Sequence, residues 1–209
     1  QFLDEEGRHV LRLNGYVPPH KFKVALDYVS KKKEKDGSFR DYMAKVSLPA
    51  GSGKLHSDAS SLQPPYDLSN RQPGKPLLVF FEQKNCPPCD ELHNDVLAQP
   101  GSQELIKQFD VLLLDTWSKT PLTTPAGKRT TAEQWGRSLN LTYVPSLLFF
   151  DADGLEVFRT EGWLRTFHVQ GSMEYVLSKA YLHEKEFQRF VEERASKLRE
   201  QGIEVDLLK

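Results

Sequence analysis

Cys86-Pro87-Pro88-Cys89 holds both cysteines of the chain, directly after the apolar run Leu77-Leu78-Val79-Phe80-Phe81. A thiol pair that opens a helix and is fed by a buried strand is an arrangement for thiol–disulfide exchange. With Cys86 at the N-cap and Pro87 and Pro88 in the first turn, no helix hydrogen bond is lost, because the N–H groups there have no partner inside the helix. The Cys89 amide stays free to bond the Cys86 sulfur, and the helix dipole favours the Cys86 thiolate. These positions imply an exposed, attacking Cys86. Cys89, one turn on, would resolve the mixed disulfide by attacking its own partner.

A proton must leave Cys89 when it attacks. Glu82 shares a strand face with Phe80 and precedes Cys86 by one short loop, which makes it a candidate acceptor; an exposed strand-end carboxylate is the plainer reading. His93 follows Cys89 by one helical turn and could tune the thiols, although a solvent-facing histidine is the more ordinary role for that position. Cys86, Cys89 and His93 also have ligand-like spacing, so metal binding is a rival. Structural zinc wants four N/S ligands, and a second C-x-x-C is absent from the sequence. A purely structural disulfide is the second rival, disfavoured because the stabilisation grows with the loop closed and this loop is very short. The third is a redox-linked scaffold or interaction module, motivated by the cysteine-free start of the chain and its basic, apolar helices over 20–46. No cofactor is implied.

The elements that must position these residues can be read from periodicity and turn chemistry. Strand 76–82 precedes the cysteines, a helix runs near Ser102 to Gln108, and a strand spans 110–116. A loop from Trp117 to Thr130, with Pro121, Pro125 and Gly127, is long enough to reach toward the cysteines. Thr131 with Gln134 reads as a capping box for a helix to about Leu139. Tyr143-Val144-Pro145-Ser146 leads into strand 147–150, and Asp151 to Gly154 turns a terminal hairpin. Helices over roughly 166–180 and 183–201 close the chain. Trp135 and Trp163 read as core or hairpin packing. Strands alternating with helices and closed by a hairpin predict an α/β fold, a central mixed sheet flanked by helices.

The beginning of the chain partly repeats its end. At one constant offset Phe2, Asp4, Gly7, Val10, Arg12 and Gly15 align with Phe149, Asp151, Gly154, Val157, Arg159 and Gly162, and Tyr16, Leu26, Tyr28 and Val29 with Trp163, Met173, Tyr175 and Val176. A one-residue slip then brings Phe39 onto Phe187 and Tyr42 onto Phe190. Residues 1–46 therefore read as the hairpin-and-helix back half of a repeat, too small to bury a stable core unaided. Something must cover it: either the front half of a preceding domain has been removed, or the piece docks on the second domain, dimerises or docks on another chain. Gly, Pro and Ser mark 47–75 as a linker, and 76–209 as the complete domain.

Composition excludes several classes. Lys and Arg number 28 against 29 Asp and Glu, so no nucleic-acid footprint is visible. The longest apolar runs fall far short of the ~20 residues a bilayer requires, which implies no membrane insertion. The sequence starts at Gln1 without a signal-peptide pattern, and compartment is not readable there.

Taken together, the strand, the Cys86-Pro87-Pro88-Cys89 helix start and the Val144-Pro145 step before the hairpin resemble the thioredoxin fold. More narrowly, Phe81-Glu82-Gln83, Leu114-Asp115-Thr116-Trp117 and Phe149-Phe150-Asp151 to Gly154 are similar to bacterial extracytoplasmic thioredoxin-like proteins, the SoxW-like group. The resemblance implies that Pro145 is cis and faces the cysteines. The Val144 backbone would then be open to pair with an extended substrate strand. It implies a disulfide reductase acting on protein disulfides, fed by a dithiol donor, in the periplasm; disulfide oxidase or isomerase activity remains open. Thioredoxin proper has a buried aspartate six positions before the first cysteine and a tryptophan immediately before it. Phe80 and Asn85 stand there instead.

Overall fold

The computed structural model describes residues 1–13, 17, 19–46, 51–56, 60–71 and 74–205. The chain divides into two units, Gln1–Ala50 and Gly51–Lys209. In the first, strands β1 (Phe2–Leu3) and β2 (His9–Leu11) pair antiparallel. The turn between them uses Gly7 at φ 76°, a left-handed conformation that costs glycine little. Helices α1 (Pro19–Ser30) and α2 (Phe39–Lys45) follow, the latter capped by Ser38, whose hydroxyl accepts from the Asp41 amide at 3.2 Å. Leu11, Ala25 and Tyr28 form the small core, with Phe39 and Tyr42 packed on it. Gly15 and Tyr16 of the repeat alignment lie outside the described residues, as do Pro49 and Pro73 of the linker.

The second unit begins with residues that the sequence reads as linker. Tyr66–Asp67 form β3, and Leu68 is buried. Strand β4 (Leu77–Glu82) is buried at every position, as a strand covered on both faces must be. Helix α3 (Pro87–Glu91) continues into a wide π turn over Leu92–Val96, and α4 (Pro100–Ile106) leads to strand β5 (Asp110–Asp115). The segment expected as a loop is a hairpin, β6 (Pro121–Thr123) and β7 (Arg129–Thr131), with β3 parallel to β6 on its outer side. Its threonine-rich strands suit a pleated edge, and Gly127 at φ 78° supplies the turn. Thr131 caps α5 (Ala132–Ser138) by accepting from the Gln134 amide at 3.3 Å, where the capping box was expected. Strands β8 (Ser146–Phe150) and β9 (Glu156–Glu161) form the hairpin, and α6 (Thr166–Leu177) and α7 (Phe187–Glu200) end the described chain.

The main sheet has the order β5-β4-β8-β9, with β4 parallel to β5 and antiparallel to β8. Alternation along β4 divides its side chains between two layers. Leu78 and Phe80 pack with Leu92, Val96 and Met173, while Leu77, Val79 and Phe81 pack with Leu122, Ala132 and Trp135. This is the mixed sheet flanked by helices that the sequence predicts. Register then fixes what meets at one end: Glu82 lies opposite Asp115, and Phe81 opposite Ser146. The start of α3, the turn after β5 and the residues before β8 therefore share that end of the sheet.

Candidate redox site

Cys86 caps α3 with φ −138° and ψ 87°, and Pro87 and Pro88 occupy the first turn. The Cys89 amide donates to the Cys86 sulfur at 3.2 Å, the hydrogen bond inferred from the motif. Cys86 and Cys89 are joined as a disulfide, the Cα atoms 5.2 Å apart. Pro88 and Cys89 are buried, and Pro87 is half-buried. The Val144–Pro145 bond is cis, Val144 is half-buried, and Pro145 is buried. Its carbonyl accepts from the Gly162 amide at 2.9 Å, which ties the step to the end of β9.

Two expectations need correction. Cys86 is only 2% exposed, not the open nucleophile that its place at a helix start implies. Sequence far upstream lies against its backbone. Gly51 lies so close to the Asn85–Cys86 backbone that a Cβ there would overlap the Cys86 amide nitrogen. The segment Gly51–His56 is pinned beside the site by Asp90. Its carboxylate accepts from the Ser52 amide and hydroxyl, both at 2.7 Å, and from His56 Nε2 at 2.6 Å. Partial burial raises the proton affinity of Asp90, but the hydrogen bonds from His56 and Ser52 outweigh it and hold the carboxyl below its ordinary range.

The second correction concerns His93, which does not face solvent. Its Nε2 meets Glu82 Oε1 at 2.7 Å, and its ring stacks on that of His56 with centroids 4.4 Å apart and 7° between planes. Glu82 is no exposed strand end either: its side chain is 0% exposed, and Oε2 has no hydrogen-bond partner among the described residues. A buried carboxylate oxygen with an open lone pair is a place where a proton can be held. The structure thus brings Glu82 and His93 together and adds His56, Asp90 and Ser52, which the sequence reading does not single out. The only local signal for them is the position of Asp90, directly after Cys89.

Trp117, after β5, is 66% exposed, with its indole N–H donating to Gln83 Oε1 at 3.1 Å. Trp135 is buried against Phe81 and Phe150, and Trp163 is half-buried under the Arg165 guanidinium at 4.7 Å. Among the described residues no helix is long and apolar enough to cross a membrane.

Residues 69–177, more than half of the chain, match the model of a thioredoxin-like domain. Among solved structures, a thioredoxin-fold protein from Helicobacter pylori is similar with a TM-score of 0.54 and 12% identity, covering 62% of this chain and 91% of that one. A thioredoxin from Thermus thermophilus aligns with a TM-score of 0.40 and 22% identity over 50% of this chain and 75% of its own. No curated protein sequence matches significantly.

Proposed function

The chain belongs to the thioredoxin-like domain family, and from that premise we propose that it is a thiol–disulfide oxidoreductase that reduces protein disulfides through Cys86 and Cys89. The observation that carries this reading is the disulfide at the N-cap of α3, with the Cys89 amide on the Cys86 sulfur. In the reduced protein the Cys86 thiolate attacks a substrate disulfide, forming a mixed disulfide and expelling one substrate thiolate. Cys89 then gives up its proton and attacks Cys86. The Cys86–Cys89 bond forms, the second substrate thiolate leaves, and a dithiol donor restores the pair.

Glu82 receives the Cys89 proton in this reading, supported by its burial, its open Oε2 and its anchoring by His93. Pro145 and Val144 offer the backbone edge on which an extended substrate docks, with Pro87 and Pro88 shaping the helix start. Reaching Cys86 requires the Gly51–His56 segment to yield.

The narrower assignments belong to the same proposal. Membership of the SoxW-like group, and with it a periplasmic setting, rests on the motifs around Glu82, Trp117 and Gly154. The tandem-repeat reading of 1–46 gains support from matching geometry. Gly7 and Gly154 take positive φ in the two hairpin turns, and Lys32 and Lys179, at the same offset, are both left-handed before a 3-10 turn. The Tyr28 and Tyr175 hydroxyls each donate to a carbonyl nine residues on. A cysteine-free half repeat suits docking or dimerisation.

Reduction of a disulfide-bonded protein substrate by the dithiol form, with Cys86→Ser inactive and Cys89→Ser accumulating mixed disulfide, is the expected result. A potential near about −270 mV marks a reductant and one near about −120 mV an oxidant. Turnover undiminished in Cys86→Ser would sink the assignment.

A further inference from the structure

We propose that His56 is a positioning residue of the redox site: stacked on His93 and held by Asp90, it keeps His93 neutral and so keeps Glu82 a competent base. The proposal rests on the reading above that Glu82 takes the Cys89 proton.

His93 Nε2 lies 2.7 Å from Glu82 Oε1, and an ionised Glu82 can accept that hydrogen bond from a neutral His93 or from an imidazolium that carries a second hydrogen on Nδ1. With a neutral His93 carrying hydrogen on Nε2, Oε1 accepts from the ring, and Oε2 stays open for an incoming proton. With an imidazolium, Glu82 is locked into a buried ion pair and its affinity for a further proton falls. What chooses between the two is the charge next to His93. The His56 ring lies parallel to it at 4.4 Å, and its Nε2 donates to Asp90 at 2.6 Å, an arrangement that stabilises a cation on His56. Two stacked imidazolium rings repel, so a proton on His56 disfavours one on His93. Ser52 adds two further donors to Asp90, keeping that carboxyl ionised and His56 in place.

Other charged groups face the pair from each packed element. Glu82 comes from β4, opposite Asp115 of β5. Asp90 comes from α3, together with the Cys86 and Cys89 thiols after reduction. A cavity of about 760 Å³ lined by both histidines holds Lys75, Lys107 and Asp110 elsewhere on its wall, with Lys107 bridged to Glu104 and Asp110 to Arg71. The ring stacked on His93 is that of His56.

The test compares the full chain with His56→Phe, which keeps an aromatic ring in the stack and removes the charge, and with His56→Gln, which keeps a donor to Asp90 and removes the ring. Circular dichroism establishes that each is folded. The His93 ring proton is followed by NMR against pH, and the Cys89-dependent release of substrate from a preformed mixed disulfide is timed over the same range. The expected result for both variants is a His93 midpoint raised by about one pH unit. Resolution should slow at neutral pH, with its pH profile displaced. A His93 midpoint that stays put in either folded variant overturns the proposal, as does a moved midpoint with an unchanged resolution profile. Failure of the redox reading looks different: the wild type itself would show no Cys89-dependent release.

Discussion

Glu82 shows what one buried carboxyl can contribute. Its side chain is 0% exposed, His93 Nε2 meets one oxygen at 2.7 Å, and the other oxygen has no partner among the described residues, leaving it to exchange a proton. Glu82→Gln keeps the shape and removes the base. Resolution of the mixed disulfide should slow by about a hundredfold, as loss of a general base does, while attack by Cys86 changes little. Stopped-flow measurement of each step checks this; equal slowing of both steps would mean that Glu82 acts through the fold and not through the proton. The cysteines, Glu82 and His93 were legible as candidates, because motif, strand alternation and helical spacing each leave a mark in sequence. Their pairing was not. Glu82 meets His93 across the start of a π turn, and His56 arrives from a segment that no periodicity links to either.

At the level of elements, the strands and helices around the site could be read because each carries its own signal: the all-buried run of β4, the Thr131 cap of α5, the Asp151 to Gly154 turn. The Gly51–His56 strap could not. Its glycines and serines resemble a linker, and the contact that fixes it, Ser52 on Asp90, spans 38 residues. Gly51 has its own reason to be glycine: a side chain there collides with the Asn85–Cys86 backbone. Gly51→Val should therefore lift the strap and, in the reduced protein, speed alkylation of Cys86 severalfold. Ser52→Ala removes one hydrogen bond to a charged acceptor, worth ~1.5–3 kcal/mol when fully desolvated and less at this partly exposed site. It should raise the alkylation rate by a smaller factor; slower alkylation in both would show that the strap aids Cys86 and does not cover it. The latch is also pH-dependent. Asp90 has a lowered pKa in the folded chain, so its contribution is present above its ordinary value of ~3.9 and is lost as pH falls through the folded value. The Ser52 amide resonance should report that release below about pH 4, and the transition should vanish in Asp90→Asn.

The molecule as a whole places two cores of unequal size on one chain. The second unit buries both faces of a four-stranded sheet, enough to define a stable domain, and every residue of the redox site, strap included, falls within Gly51–Lys209. The first has four buried apolar residues among those described, Leu11, Val24, Ala25 and Tyr28, beside a two-stranded hairpin, and leaves Phe22 and Leu26 41% and 46% exposed on α1. A segment that small buries too little apolar surface to offset the entropy of ordering its backbone. The consequence is an asymmetry that truncation can measure. Residues 51–209 alone should keep a cooperative thermal transition and reduce a disulfide-bonded substrate at a rate within about twofold of the full chain, since the cysteines and the Glu82–His93–His56 array all belong to the second unit. Residues 1–50 alone should show little helical circular dichroism and no cooperative melting. If they instead fold alone, the half-repeat account of that unit fails, because a self-sufficient core needs no covering partner; if they gain helix only on dimerising, a second copy supplies the missing cover.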